Sequence, residues 1–164
     1  MKVIFSHGKE SGPWGFKIQR LAAIARDRGC EVDSIDYTDT HDPERRVVRL
    51  VDVLKNENQP CILVGSSMGG YVALMATAQV EARALFLMAP ALYMRGYEED
   101  YPATLKHVEI VHGWDDDIIP AEHSIRYAKE ADCTLHMISG DHPLNTSIEV
   151  VEGLFEGFLG KVLA

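Results

Sequence analysis

The sequence is poor in several features that would have decided its class at once. It has three cysteines, Cys30, Cys61 and Cys133, widely spaced and with no C-x-x-C pair. An odd, scattered set argues against a disulfide framework and for a reducing compartment, so a cytoplasmic protein is expected. Cys61 opens an apolar run and reads as a small buried hydrophobe. Basic residues cluster nowhere beyond Arg45-Arg46, and the formal net charge is −9. Nucleic acid and anionic membrane surfaces are therefore not expected partners. The longest apolar run, Ala84 to Met94, is broken by Pro90. It falls short of the roughly 18 residues that a membrane span needs. Only Val3-Ile4-Phe5 precedes Ser6-His7-Gly8, which predicts no signal peptide. Neither H-x-H nor H-E-x-x-H occurs, so no metal site is expected.

What remains is an ordinary globular composition, 46% hydrophobic over 164 residues. That length suits one domain, 1–164, with a substantial core. Short apolar runs alternate with helical patterns along the whole chain. Strands are expected at Val3 to Ser6, Val32 to Tyr37, Cys61 to Val64, Ala84 to Met88, Val108 to His112 and Thr134 to Ile138. Between them, Phe16 to Arg28 carries Ile18, Leu21, Ala22 and Ala25 on one face and stops at Gly29. Asp42-Pro43-Glu44 is a helix start, with Asp42 as N-cap and Pro43 at the first position, and the helix runs to about Asn56. Pro120 begins a helix to about Ala131, and Thr146 to Leu159 is the last, with Ile148, Val151, Phe155 and Phe158 inward. Residues 91–106 follow no period. The strands are apolar runs rather than alternating ones, as expected where helices cover both faces. The reading is an α/β protein with a doubly wound, mostly parallel sheet of about six strands.

The most informative stretch is Gly65-Ser66-Ser67-Met68-Gly69-Gly70. An apolar run of strand length precedes it and an apolar, helix-forming run follows it. Strand, tight glycine turn and helix are the context in which G-x-S-x-G makes a nucleophile elbow. Ser67, with glycines two before and two after it, would sit at the positive end of the following helix. There the amide of Met68 can stabilise a developing oxyanion. Ser66 lacks that flanking.

In open parallel sheets the ligand crevice lies beyond the carboxyl ends of the strands. Those ends carry His7-Gly8-Lys9, Ser67, His112-Gly113-Trp114-Asp115-Asp116-Asp117 and, after the last strand, Gly140-Asp141-His142. Serine, acid and histidine thus follow one another on one rim. Composition does not choose among the three consecutive aspartates. His7 and His112 read as structural residues buried under the loops, and Asp141 as a turn residue.

These segments in this order resemble the α/β-hydrolase superfamily, and in particular its small, cap-less serine esterases. The resemblance covers nearly the whole chain, without the two further strands that the fold usually has in front. It implies Ser67 as nucleophile, His142 as general base and then acid, and Asp116 as the acid that orients His142. The choice of Asp116 follows from the family spacing after His112-Gly113 and before Pro120. It also implies an oxyanion hole from the backbone amides of Lys9 and Met68. The activity implied is hydrolysis of a small carboxylic ester or thioester through an acyl-enzyme, without a cofactor. Tyr93, Met94 and Trp114 stand where such proteins bind substrate, although the tyrosines read equally as the underside of a loop. A non-catalytic binding protein on the same scaffold, or an acyltransferase or peptidase using the same triad, are the competing functions.

Overall fold

A computed structural model describes residues 1–164. In chain order the elements are β1 (Lys2–Ser6), α1 (Phe16–Asp27), β2 (Glu31–Ile35), α2 (Pro43–Lys55), β3 (Cys61–Ser66), α3 (Met68–Ala76), β4 (Ala84–Met88), β5 (Val108–Gly113), α4 (Ala121–Ala131), β6 (Thr134–Ile138) and α5 (Ile148–Leu163), the last entered through a 3-10 turn at Asn145–Ser147. The six strands form one sheet in the order β2-β1-β3-β4-β5-β6. Every pairing in it is parallel. After β1 the chain moves outward to β2, then returns to lay β3 on the other side of β1. The direction in which strands are added reverses there, so a crevice opens beyond Ser6 and Ser66.

Side chains of adjacent strand residues point to opposite faces, and both faces are covered. Ile4, Leu63, Leu85 and Ile110 pack with Leu50 of α2 and Tyr71 of α3. Phe5, Val64, Phe86 and Val111 pack with Leu21 of α1 and Phe155 of α5. Phe86 meets the rings of Phe155 and Phe158 at centroid distances of 5.1 and 5.3 Å. All five residues of β4 are buried, which is why the central strands lack polar alternation.

The helix signals act as the sequence predicts. Asp42 caps α2 by accepting from the Glu44 N–H at 3.0 Å, and Pro43 takes the first turn. Gly29 adopts φ 80° just after α1, where a left-handed residue closes the helix. Several boundaries differ by a residue or more, and two of them have a clear cause in packing. The second strand stops at Ile35, because Tyr37 leaves the ladder: its N–H donates to His7 Nε2 at 2.9 Å and its hydroxyl pairs with Ser6 Oγ at 2.9 Å. The last helix continues to Leu163 and buries Val162 as well. No helix is long and apolar enough to cross a membrane.

Candidate active site

Ser67 is the single residue between β3 and α3, and the fold forces it into φ 55°, ψ −119°. A non-glycine residue in such a conformation stores about 1–3 kcal/mol and needs neighbours that hold it there. The Ser67 N–H donates to the Met88 carbonyl at 3.0 Å, and its carbonyl accepts from Gly70, Tyr71 and Ala91. The flanking glycines are required by contact. A Cβ on Gly65 would lie 2.6 Å from the Gly69 carbonyl carbon, and one on Gly69 would lie 2.6 Å from the His7 carbonyl oxygen and closer still to that of Ser6. Both would strike backbone, which cannot step aside. Gly69→Ala is therefore expected to lower stability by about 3 kcal/mol or more, read as a lower midpoint in a denaturant melt.

Asp116 follows β5. Its Oδ1 accepts the N–H groups of Ile118 and Ile119 at 2.9 and 2.8 Å. Its Oδ2 stands 2.7 Å from His142 Nδ1, and the carboxylate is fully shielded from solvent. Asp115 and Asp117 are exposed. His142 Nε2 stands 3.0 Å from Ser67 Oγ. A carboxylate can only accept, so the proton belongs on Nδ1, and Nε2 is left to accept from the serine hydroxyl. The structure thus brings Ser67, His142 and Asp116 into one hydrogen-bonded line from three separate loops.

The two other histidines on this rim are buried and committed. His7 Nε2 accepts from Tyr37, so its Nδ1–H donates to the Gly8 carbonyl at 2.7 Å. His112 Nε2–H donates to the Ile119 carbonyl at 2.9 Å and lies 3.1 Å from Asp116 Oδ2, while its Nδ1 pairs with Ser124 Oγ at 2.7 Å. Burial pushes the pKa of both below the usual histidine value. As pH falls through about 6.5 the unfolded chain protonates at these positions and the folded protein does not yet do so. The unfolded state then holds more protons, so stability drops with acid, by at most about 1.4 kcal/mol per pH unit for each site. Melting temperatures measured from about pH 7.5 down to 5 should fall, and His112→Gln should show a shallower acid slope than the wild type.

Gly8 lies against the nucleophile elbow: a Cβ on it would sit 3.6 Å from Ser67 Cβ. The Lys9 N–H has no acceptor within the protein. Met68 is the first residue of α3, and the opening N–H groups of a helix have no partner inside it. Trp114 is 60% exposed beside the aspartates. Tyr93 and Met94 are partly buried on the α2–α3 side of the sheet. The Tyr93 hydroxyl donates to Glu130 of α4 at 2.9 Å, and its ring meets Tyr101 edge-on at 5.2 Å. Asp141 accepts from the Leu144 N–H at 3.3 Å, a turn contact.

Two side chains on the rim have no counterpart in the sequence reading. Lys17 of α1 donates from Nζ to the carbonyl of Pro143, next to His142, at 2.8 Å. Its burial brings its pKa down to about 8, against the pull of Asp116 and Asp141. Arg46 of α2 is wholly buried and directed at the loop of residues 7–9. Its only signal in the sequence is its place four residues before Leu50, on the inward stripe of α2.

Residues 3–148 match the sequence profile of the Alpha/beta hydrolase family. A Xanthomonas campestris pv. campestris protein of the alpha/beta hydrolase superfamily is 32% identical, with a TM-score of 0.90 over 98% of each chain. Est1E from Butyrivibrio proteoclasticus superposes at a TM-score of 0.79 with 20% identity, over 99% of this chain and 88% of its own. A serine hydrolase without a lid from Xanthomonas campestris superposes at 0.77 with 17% identity, over 98% and 81%. No curated protein matches the sequence at a significant level.

Proposed function

Because this chain belongs to the alpha/beta hydrolase family, we propose that it is a serine hydrolase that cleaves a small carboxylic ester or thioester. The observation that carries this is the relay from Asp116 Oδ2 to His142 Nδ1 at 2.7 Å and from His142 Nε2 to Ser67 Oγ at 3.0 Å. A serine hydroxyl is a weak nucleophile near neutral pH until a base takes its proton. His142 accepts that proton as Ser67 Oγ bonds to the substrate carbonyl carbon. Asp116 keeps the imidazole in the required tautomer and stabilises its cation. Negative charge builds on the carbonyl oxygen, and the Lys9 and Met68 amides donate to it. As the tetrahedral species collapses, the C–O or C–S bond breaks and His142 returns its proton to the leaving group. Water, deprotonated in turn by His142, attacks the acyl-enzyme and releases the acid and Ser67.

Trp114, Tyr93 and Met94 are the residues we assign to substrate contact, with Trp114 the most accessible of the three. The substrate is a small molecule reaching an open rim, and neither nucleic acid nor a membrane takes part. The machinery belongs to one domain, 1–164. The free thiols of Cys30, Cys61 and Cys133 fit a reducing cytoplasm. A fluorophosphonate probe should label Ser67 and block hydrolysis of nitrophenyl esters. An unlabelled, correctly folded protein would sink the proposal and favour a binding protein on the same scaffold. Rates across ester, thioester and amide substrates of increasing acyl length should favour short oxygen or sulfur esters.

A further inference from the structure

A buried arginine ordinarily faces a carboxylate, since an uncompensated charge in the interior is costly. Arg46, with no exposed surface, faces backbone carbonyls instead. Its Nη1 donates to His7 O at 3.3 Å and Gly8 O at 3.0 Å, its Nη2 to Lys9 O at 3.2 Å, and its Nε to Thr40 O at 2.9 Å. The Tyr37 ring lies 5.3 Å from the guanidinium carbon. Burial pushes the pKa of Arg46 down, yet the group stays charged, as arginine does in proteins. So much donor capacity on three successive carbonyls fixes how those peptides turn.

The middle one matters. In a trans peptide the C=O and the following N–H point in opposite directions. The Gly8 carbonyl is gripped by Arg46 and by His7 Nδ1–H at 2.7 Å. The N–H of the same peptide unit is that of Lys9, which is therefore turned away from Arg46 and has no acceptor in the protein. Gly8 itself rests against Ser67. A cationic donor on the carbonyl also polarises the peptide and makes its N–H a stronger donor.

We infer that Arg46 is a positioning residue for the oxyanion hole: through the Gly8 carbonyl it holds the Lys9 N–H ready for the substrate oxygen at Ser67. The inference rests on the serine hydrolase reading above. Arginine is required because a planar fork reaches several carbonyls at once, which a lysine point charge cannot do.

The test compares wild type, Arg46→Met and Arg46→Lys by circular dichroism, ester hydrolysis and affinity for a boronic acid, whose tetrahedral adduct puts an oxygen in the hole. Loss of a whole oxyanion donor costs about 100- to 1,000-fold, so a loosened one should lower kcat by about 10- to 100-fold in Arg46→Met. KM should stay near the wild-type value, boronate affinity should fall with kcat/KM, and Arg46→Lys should recover only part of the loss. A merely structural arginine would not split kcat from KM in this way. A folded Arg46→Met with full kcat and full boronate affinity overturns the inference. If that variant does not fold, Arg46→Lys carries the same readouts, and undiminished kcat and boronate affinity in it would overturn the inference equally. A wild type that neither hydrolyses esters nor takes a fluorophosphonate label overturns the hydrolase reading and this inference together. Activity in the wild type and unchanged rates in the variants overturn this inference alone.

Discussion

Ser67→Ala should abolish fluorophosphonate labelling and cut ester turnover by about 10⁴- to 10⁶-fold while leaving the fold in place. The size of the effect follows from what is lost: with no hydroxyl there is no acyl-enzyme, and only direct attack by water, aided by the oxyanion hole and substrate binding, remains. The fold should survive because the side chain of Ser67 makes one hydrogen bond, to His142, whereas its backbone supplies the bonds that lock the elbow. Alanine keeps the strained φ of 55°. Ser67→Gly should therefore be the more stable of two inactive variants, by about 1 kcal/mol, since glycine adopts positive φ without penalty. Equal melting temperatures for the two would mean that the elbow stores no strain.

Asp116→Asn should lower kcat by about 10⁴-fold with little change in KM. An amide nitrogen facing His142 Nδ1 donates where the carboxylate accepts. It selects the tautomer with the proton on Nε2, which cannot take one from Ser67. Asparagine Oδ1 can still accept from Ile118 and Ile119, so the loop should keep its shape. Asp115→Asn and Asp117→Asn, at exposed positions, should retain full turnover. A loss shared by all three would mean that the acidic run acts through its summed charge rather than through one oriented carboxylate.

This run marks where the sequence stops being legible. Three adjacent aspartates differ in nothing but position; only the family spacing to His112-Gly113 and Pro120 singles out Asp116, and the turn after β5 is what faces it inward. The elbow was easier to read, because the glycines around Ser67 are dictated by backbone contact with Gly69 and Ser6, and contact of that kind leaves a fixed spacing. The apolar strands and the Asp42-Pro43 helix start were legible for the same local reason. Arg46 and Lys17 were not. Each acts on a carbonyl far along the chain, Gly8 and Pro143, and a backbone carbonyl carries no residue signature for a distant partner to match. The early end of β2 has the same origin, since Tyr37 answers to His7 rather than to its own neighbours.

The segment of residues 91–106 leaves the site already tied down. The Ala91 N–H is bonded to the Ser67 carbonyl, the Tyr93 N–H to the Tyr101 hydroxyl, and the Glu98 N–H to the Tyr71 hydroxyl, which itself donates to Glu44. A segment anchored to Ser67 and Tyr71 and braced across itself by Tyr101 is not a lid that an oil–water boundary must pry open. Turnover of a soluble ester should therefore rise smoothly with concentration and saturate, with no jump where the substrate begins to form micelles.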